Sequence, residues 1–213
     1  MAALLPLYFS SFFVALSGAL MPGPLFAATI SESMKRGPSV GPKIISGHAL
    51  LEGVLVVGLM LGFAPFLQKD VFTIFISFAG SILLFWMALG MFRGLPDLEV
   101  NWQGKSAKEG NLMAAGMLLS VTNPYWIIWW ATIGLSFMIH AQKAGAWGVI
   151  VFYLGHETAD VVWFSFLSAA VGKGRHLMSD RMYRIIIGSA AVILCGFAVF
   201  FGWTGMEKFL KMI

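Results

Sequence analysis

Long apolar runs alternate along this chain with short polar segments. Six runs are long enough to cross a hydrocarbon core of about 30 Å, which takes about 20 helical residues: Leu4–Ile30, Ile44–Leu67, Val71–Phe92, Asn111–Met138, Ala144–Val171 and Ile185–Met206. The pattern predicts an all-α membrane protein with six transmembrane helices. The longest polar stretch, Gly94–Gly110, has too few apolar residues to offset the entropy of ordering it. It reads as a linker, and no soluble domain fits between the runs.

Two of the runs carry helix breakers. Pro22-Gly23-Pro24 lies in the first and Asn123-Pro124 in the fourth. An interior proline removes a hydrogen bond and clashes with the carbonyl one turn back. In lipid the freed backbone groups must find a partner or line a polar cavity, so helices 1 and 4 are expected to break at these motifs, facing protein or a cavity. Half-helix ends offer amides to a carboxylate and carbonyls to an ammonium or another cation. The Asn123 side chain adds a group able to bond freed carbonyls or a ligand.

The second and fifth runs share another frame, "GHALLE" at 47–52 and "GHETAD" at 155–160. The order therefore repeats: a proline-broken run, a run with Gly-His-x-x-x-acid, then a plainer apolar run. Three spans per unit make the second copy enter from the opposite side, an inverted repeat of the kind found in secondary transporters. The expected units are residues 1–92 and 111–213, joined by a cytoplasmic linker at 93–110.

Composition fits a bilayer, with 59% hydrophobic and only 11% charged residues. The net charge of +4 does not point to nucleic acid, because the basic residues flank spans. Ten of the fourteen lie in loops one, three and five, so the positive-inside rule puts those loops in the cytoplasm and both termini outside. No Lys or Arg precedes the first run, which argues against a cleaved signal peptide. Cys195 is the single cysteine, so no intramolecular disulfide exists.

Of ten acidic residues, only Glu52, Glu157 and Asp160 fall inside predicted spans, with no basic residue beside them. An intramembrane carboxylate is a functional hypothesis by default, since an ionised group at a helix centre costs roughly 2.5–3.5 kcal/mol on translocon scales. His48 and Glu52 are four apart and share one helix face, as do His156 and Asp160. Two such pairs facing one cavity can bind an amine and carry protons. Glu157 points about 100° from His156 and ranks lower. Trp126, Trp129 and Trp130 read more simply as bundle filling than as cation–π ligands, and the small-xxx-small patterns at 58–62 and 90–94 as helix packing, compatible with a homodimer.

The predicted substrate-binding set is Pro22, Gly23, Pro24, His48, Glu52, Asn123, Pro124, Tyr125, His156 and Asp160, with Glu52 and Asp160 coupling transport to protons or Na⁺. The acids favour a substrate that carries an ammonium group. A competing reading is divalent metal-ion efflux, since two His and two carboxylates suit a transition metal. Enzyme chemistry is not expected: "HETAD" puts Asp160 where HExxH needs its second His, and no Gly-x-Ser-x-Gly elbow is present. No cofactor is called for.

The "MPGP" break, the stretch "TISESMKRGPSVGPKIISGHALLE" with Gly37, Gly41, Gly47-His48 and Glu52, and "TNPYWIIWW" together resemble the lysine exporter family, the LysE/RhtB-type amino-acid efflux proteins. The likeness covers nearly the whole chain. It implies a six-span, multi-pass inner-membrane exporter of amino acids or related solutes, driven by the proton gradient as an antiporter. It does not choose among basic, aliphatic and hydroxylated substrates, and "NPYWIIWW" is richer in aromatics than the motif.

Overall fold

The computed structural model of the chain describes residues 4–67, 69–97, 110–174, 177 and 179–212. Every regular element among them is helical. The first apolar run forms two helices, α1 (Leu4–Ala19) and α2 (Pro24–Arg36), bent by 75° at the proline motif. Pro24 opens α2, where its fixed φ suits the helix and its missing N–H forfeits no bond. Gly37 stops α2 at φ 84°, a conformation that favours glycine, and its N–H bonds the Ser33 carbonyl.

The fourth run repeats this design. α6 (Leu112–Val121) meets α7 (Pro124–Trp129) at a 63° bend, and a π-helical turn, Trp130–Gly134, leads into α8 (Leu135–Gln142). Pro124 again holds the first helical position, and Asn123 Oδ1 accepts the Tyr125 N–H at 3.1 Å. Of the two roles expected for Asn123, a bond to freed carbonyls or to a ligand, its Oδ1 takes neither: it accepts a backbone amide, because the orphan groups at a helix start are N–H donors.

α3 (Val40–Gly58) runs through a π-helical turn, Leu59–Phe63, into the short α4 (Ala64–Leu67). Gly62 sits there at φ 99°, with nothing within 4 Å of where a Cβ would stand. The 58–62 pattern therefore holds a kink in the backbone and makes no close helix contact among the described residues. Gly90 and Gly94 likewise meet no neighbour. The remaining helices are α5 (Asp70–Gly94), α9 (Gly145–Gly174) and α10 (Asp180–Met212). Most of the expected linker, residues 98–109, lies outside the described residues.

By length and composition three helices can cross a membrane, Val40–Phe66, Asp70–Gly94 and Asp180–Met212, or five if each bent pair is one span. α9 is not among them. It is 30 residues long but carries His156, Glu157 and Asp160 at its middle. The chain is a multi-pass membrane protein.

Packing inside a bilayer relies on close approach more than on apolar drive. α3 packs on α6, and α9 packs on α1. Both contacts depend on the glycine that precedes each histidine. A methyl at Gly47 would overlap the Met113 carbonyl on α6, and one at Gly155 would overlap the Tyr8 carbonyl on α1. α5 pairs with α10 around buried Leu84, Ala88, Leu194, Ala198 and Phe201. Lys208 and Asp70 link that pair at 2.6 Å. α3 also packs on α9, while α2 and α7 bridge toward the α5–α10 pair.

Candidate functional site

The two histidine–acid pairs converge. Helical spacing puts His48 and Glu52 on one face of α3 and His156 and Asp160 on one face of α9, and the packing of α3 on α9 turns those faces together. His48 Nε2 lies 3.0 Å from Glu52 Oε1 and 3.8 Å from Asp160 Oδ2. His156 Nε2 lies 2.9 Å from Glu52 Oε2 and 3.3 Å from Asp160 Oδ2. Glu52 is 1% exposed and Asp160 4%. Among the described residues neither carboxylate pairs with a Lys or Arg.

Glu52 is the more firmly held acid. Trp126 Nε1 donates to its Oε1 at 2.6 Å and Trp130 Nε1 donates to the same atom at 2.8 Å. Indole N–H groups only donate, so Oε1 is committed as an acceptor. Behind this, Ser120 Oγ donates to the Gly116 carbonyl at 2.7 Å and sits 2.6 Å from His48 Nδ1. With its own hydrogen spent, Ser120 is placed to accept from Nδ1 when that nitrogen carries a proton, and the contact holds the ring with Nε2 on the Glu52 side. Asp160 has no such frame. Its Oδ2, Glu52 Oε2 and His156 Nδ1 are buried without a directed hydrogen bond among the described residues.

These groups line a cavity that also reaches both helix breaks. It has about 80 Å³ of space open to water-sized spheres, enough for several waters at roughly 10–15 Å³ each. Pro22, Gly23, Pro24, His48, Glu52, Asn123, Tyr125, His156 and Asp160 all border it. The two breaks meet there, since a Cβ at Gly23 would stand 3.6 Å from Asn123 Nδ2. Pro124 is the predicted site residue that does not border it. Its ring packs on Gly80 of α5, where a methyl would overlap it, so it shapes the break from behind.

Sequence reasoning missed the tryptophans' part. Trp126 and Trp130 are not simple filling, and a signal existed, because a buried indole N–H needs an acceptor and the acceptors in apolar spans are few. Ser120, four residues before the Asn-Pro break, gave no comparable signal. Glu157, which ranked lower by its angle, is not among the residues that border the cavity, and it is 8% exposed. His48, Glu52 and Asp160 also offer ligand atoms within 4.8 Å of one another, a spacing a divalent cation can use.

A family model described as "LysE type translocator" matches residues 16–205 of the chain. The chain is 22% identical over 208 residues to "Putative amino acid efflux protein YcgF" of Bacillus subtilis (strain 168), covering 96% of this chain and 99% of that protein. It is 25% identical over 154 residues to "Uncharacterized membrane protein PA4757" of Pseudomonas aeruginosa, covering 70% of this chain and 71% of that one. No solved structure matches it.

Proposed function

The chain belongs to the LysE type translocator family, and from that premise we propose that it exports zwitterionic or cationic amino acids from the cytoplasm in exchange for protons. The family is one of transporters and not of enzymes. The efflux assignment draws on the Bacillus subtilis relative described in those terms. One observation carries the reading: Glu52 and Asp160, buried with both histidines and with no Lys or Arg partner among the described residues, border a cavity at the junction of two broken helices.

The chemistry follows from charge balance. Two carboxylates in a low-dielectric site need cationic partners. Protons on the cluster can supply that charge, and so can the ammonium of an amino acid. Substrate and proton therefore compete for the same oxygens, and one leaves as the other arrives. At the other end of the substrate, Asn123 Nδ2 and the first amides of α2 offer donors to a carboxylate.

Access is set by the broken helices. A second cavity of about 400 Å³ runs along α2, α5 and α10, lined by Pro24, Ala28, Ser31, Met91 and Tyr183 among others. Pro24 borders both cavities, so the start of α2 is the wall between them. By the positive-inside rule the second cavity opens on the cytoplasmic side, where loops one, three and five lie. We read the fold as inverted three-helix repeats, 1–92 and 111–213, rocking about the central site. The 75° and 63° bends, the pairing of α5 with α10, and the reciprocal seats of Gly47 on α6 and Gly155 on α1 support that reading.

The test is efflux from cells loaded with dipeptides, with the parent beside Glu52→Gln and Asp160→Asn. Both variants are expected in the membrane with export reduced at least about tenfold, a loss of about 1.4 kcal/mol. Parental rates in both would remove the site. Vesicles with an imposed pH or Na⁺ gradient, given labelled amino acid or Zn²⁺, separate the coupling ions and the metal-efflux reading.

A further inference from the structure

We infer that the exported amino acid has an uncharged, apolar side chain seated against Leu84, Leu194 and Phe197. This rests on the amino-acid reading above and narrows it to one substrate class. The cavity has unlike walls. Every carboxylate and imidazole that borders it comes from α3 and α9. The lining residues from α5 and α10 are Leu84, Leu194 and Phe197, hydrocarbon and ring throughout.

That apolar wall is firmly built. Leu84 and Leu194 are each 1% exposed and belong to one packed cluster with Ala88, Ala198 and Phe201. Phe197 packs against the same cluster, and its ring centroid lies 5.9 Å from that of Tyr125. The α5–α10 pair meets α3 and α9 chiefly through α2, which packs on all three of α3, α9 and α10, and through α7, which packs on α5 and sends Trp126 to Glu52 on α3. The two walls are therefore separate, with the helix breaks at the seam.

A zwitterion bound across this space has its ammonium at the acids and its backbone beside the breaks. Its side chain then projects away from the α3–α9 wall. A second ammonium there, as in lysine, would be desolvated against leucine and phenylalanine on a wall that carries no carboxylate among the described residues, which is unfavourable. A carboxylate side chain fares no better. A hydrocarbon side chain instead buries its surface, and each well-fitted methylene in such a pocket gives about 10–200-fold discrimination.

The experiment is a panel of dipeptide loads supplying Leu, Met, Phe, Ala, Ser, Lys and Glu, measured with the parent, Glu52→Gln, Leu194→Trp and Leu84→Ala. The expected result is Glu52-dependent export of Leu, Met or Phe at least about tenfold faster than Lys, Glu or Ser. Leu194→Trp narrows the pocket and shifts preference toward Ala; Leu84→Ala widens it and shifts preference toward Phe. Glu52-dependent export of Lys or Ser at rates equal to Leu overturns the apolar assignment and leaves the exporter reading standing. Failure of every amino acid to move overturns both. Because the parent's own ranking decides the matter, poor folding of a variant does not protect the inference.

Discussion

The two Gly-His-x-x-x-acid motifs hold matching places but are partnered unequally. In α3, His48 has Ser120 behind it and Glu52 takes two indole N–H groups. In α9, His156 Nδ1 and Asp160 Oδ2 are buried with no directed partner among the described residues. Part of the difference traces to a single residue at matching register. Gly47 meets α6 at Met113 and Gly155 meets α1 at Tyr8; counting equally onward from each contact leads to Ser120 on α6 and to Ala15 on α1. The histidine–acid pair of the first half is therefore held by Ser120, Trp126 and Trp130 of the second, while the acid of the second half stays open beside the cavity. A fixed carboxylate can position a partner, whereas an unsaturated one is where a cation can come and go.

The comparison is tested most severely by removing each acid. Glu52→Ala strands two indole donors, each orphan costing about 1–3 kcal/mol, and is expected to lower the melting temperature in detergent by several degrees, at roughly 2–4 °C per kcal/mol for a chain of this size. Asp160→Ala removes a group held only through the two imidazoles, at 3.3 and 3.8 Å, and should lower the melting temperature by less than half as much on the same scale. Both should abolish export. Trp130→Phe, which removes one donor of the two, should fall between them in stability. Equal melting temperatures for the two alanine variants would show that the halves are not unequal in this way.

A smaller effect sharpens the same contrast. Ser120→Ala makes the first pair resemble the second by orphaning His48 Nδ1, and Ala15→Ser puts a hydroxyl at the matching place on α1, beside the same cavity as His156. Each should change stability by no more than about 1 kcal/mol, the usual worth of one hydrogen bond. The readout is therefore the pH profile of export, which the two substitutions should move in opposite directions. Profiles that coincide with the parent's would mean that the hydroxyl on α6 sets no difference between the pairs.

Much of the site was legible because the apolar background is so uniform. Against it, His48, Glu52, His156 and Asp160 stand out as costly groups, and the proline motifs mark where helices 1 and 4 break. The helix period gave the correct face for each pair and kept Glu157 off the cavity. What the sequence did not disclose depends on tertiary placement. An indole N–H names no acceptor by spacing alone, so Trp126 and Trp130 passed as filling. Pro124 looked equivalent to Pro24, but the approach of Gly80 turns it away from the cavity. The glycines at 58 and 62 fit a packing motif by spacing, while the positive φ of Gly62 marks a kink.

The central claim is that Asp160, the open acid, receives the cationic end of the substrate within a cavity shared by both halves. An experimental structure of the protein with its exported amino acid bound tests this most directly. The account predicts the substrate nitrogen at hydrogen-bond distance, about 2.7–3.2 Å, from Asp160 Oδ2, with both indoles still on Glu52. A substrate nitrogen placed away from both carboxylates, or Glu52 and Asp160 on separate outer surfaces with no common cavity, would contradict it.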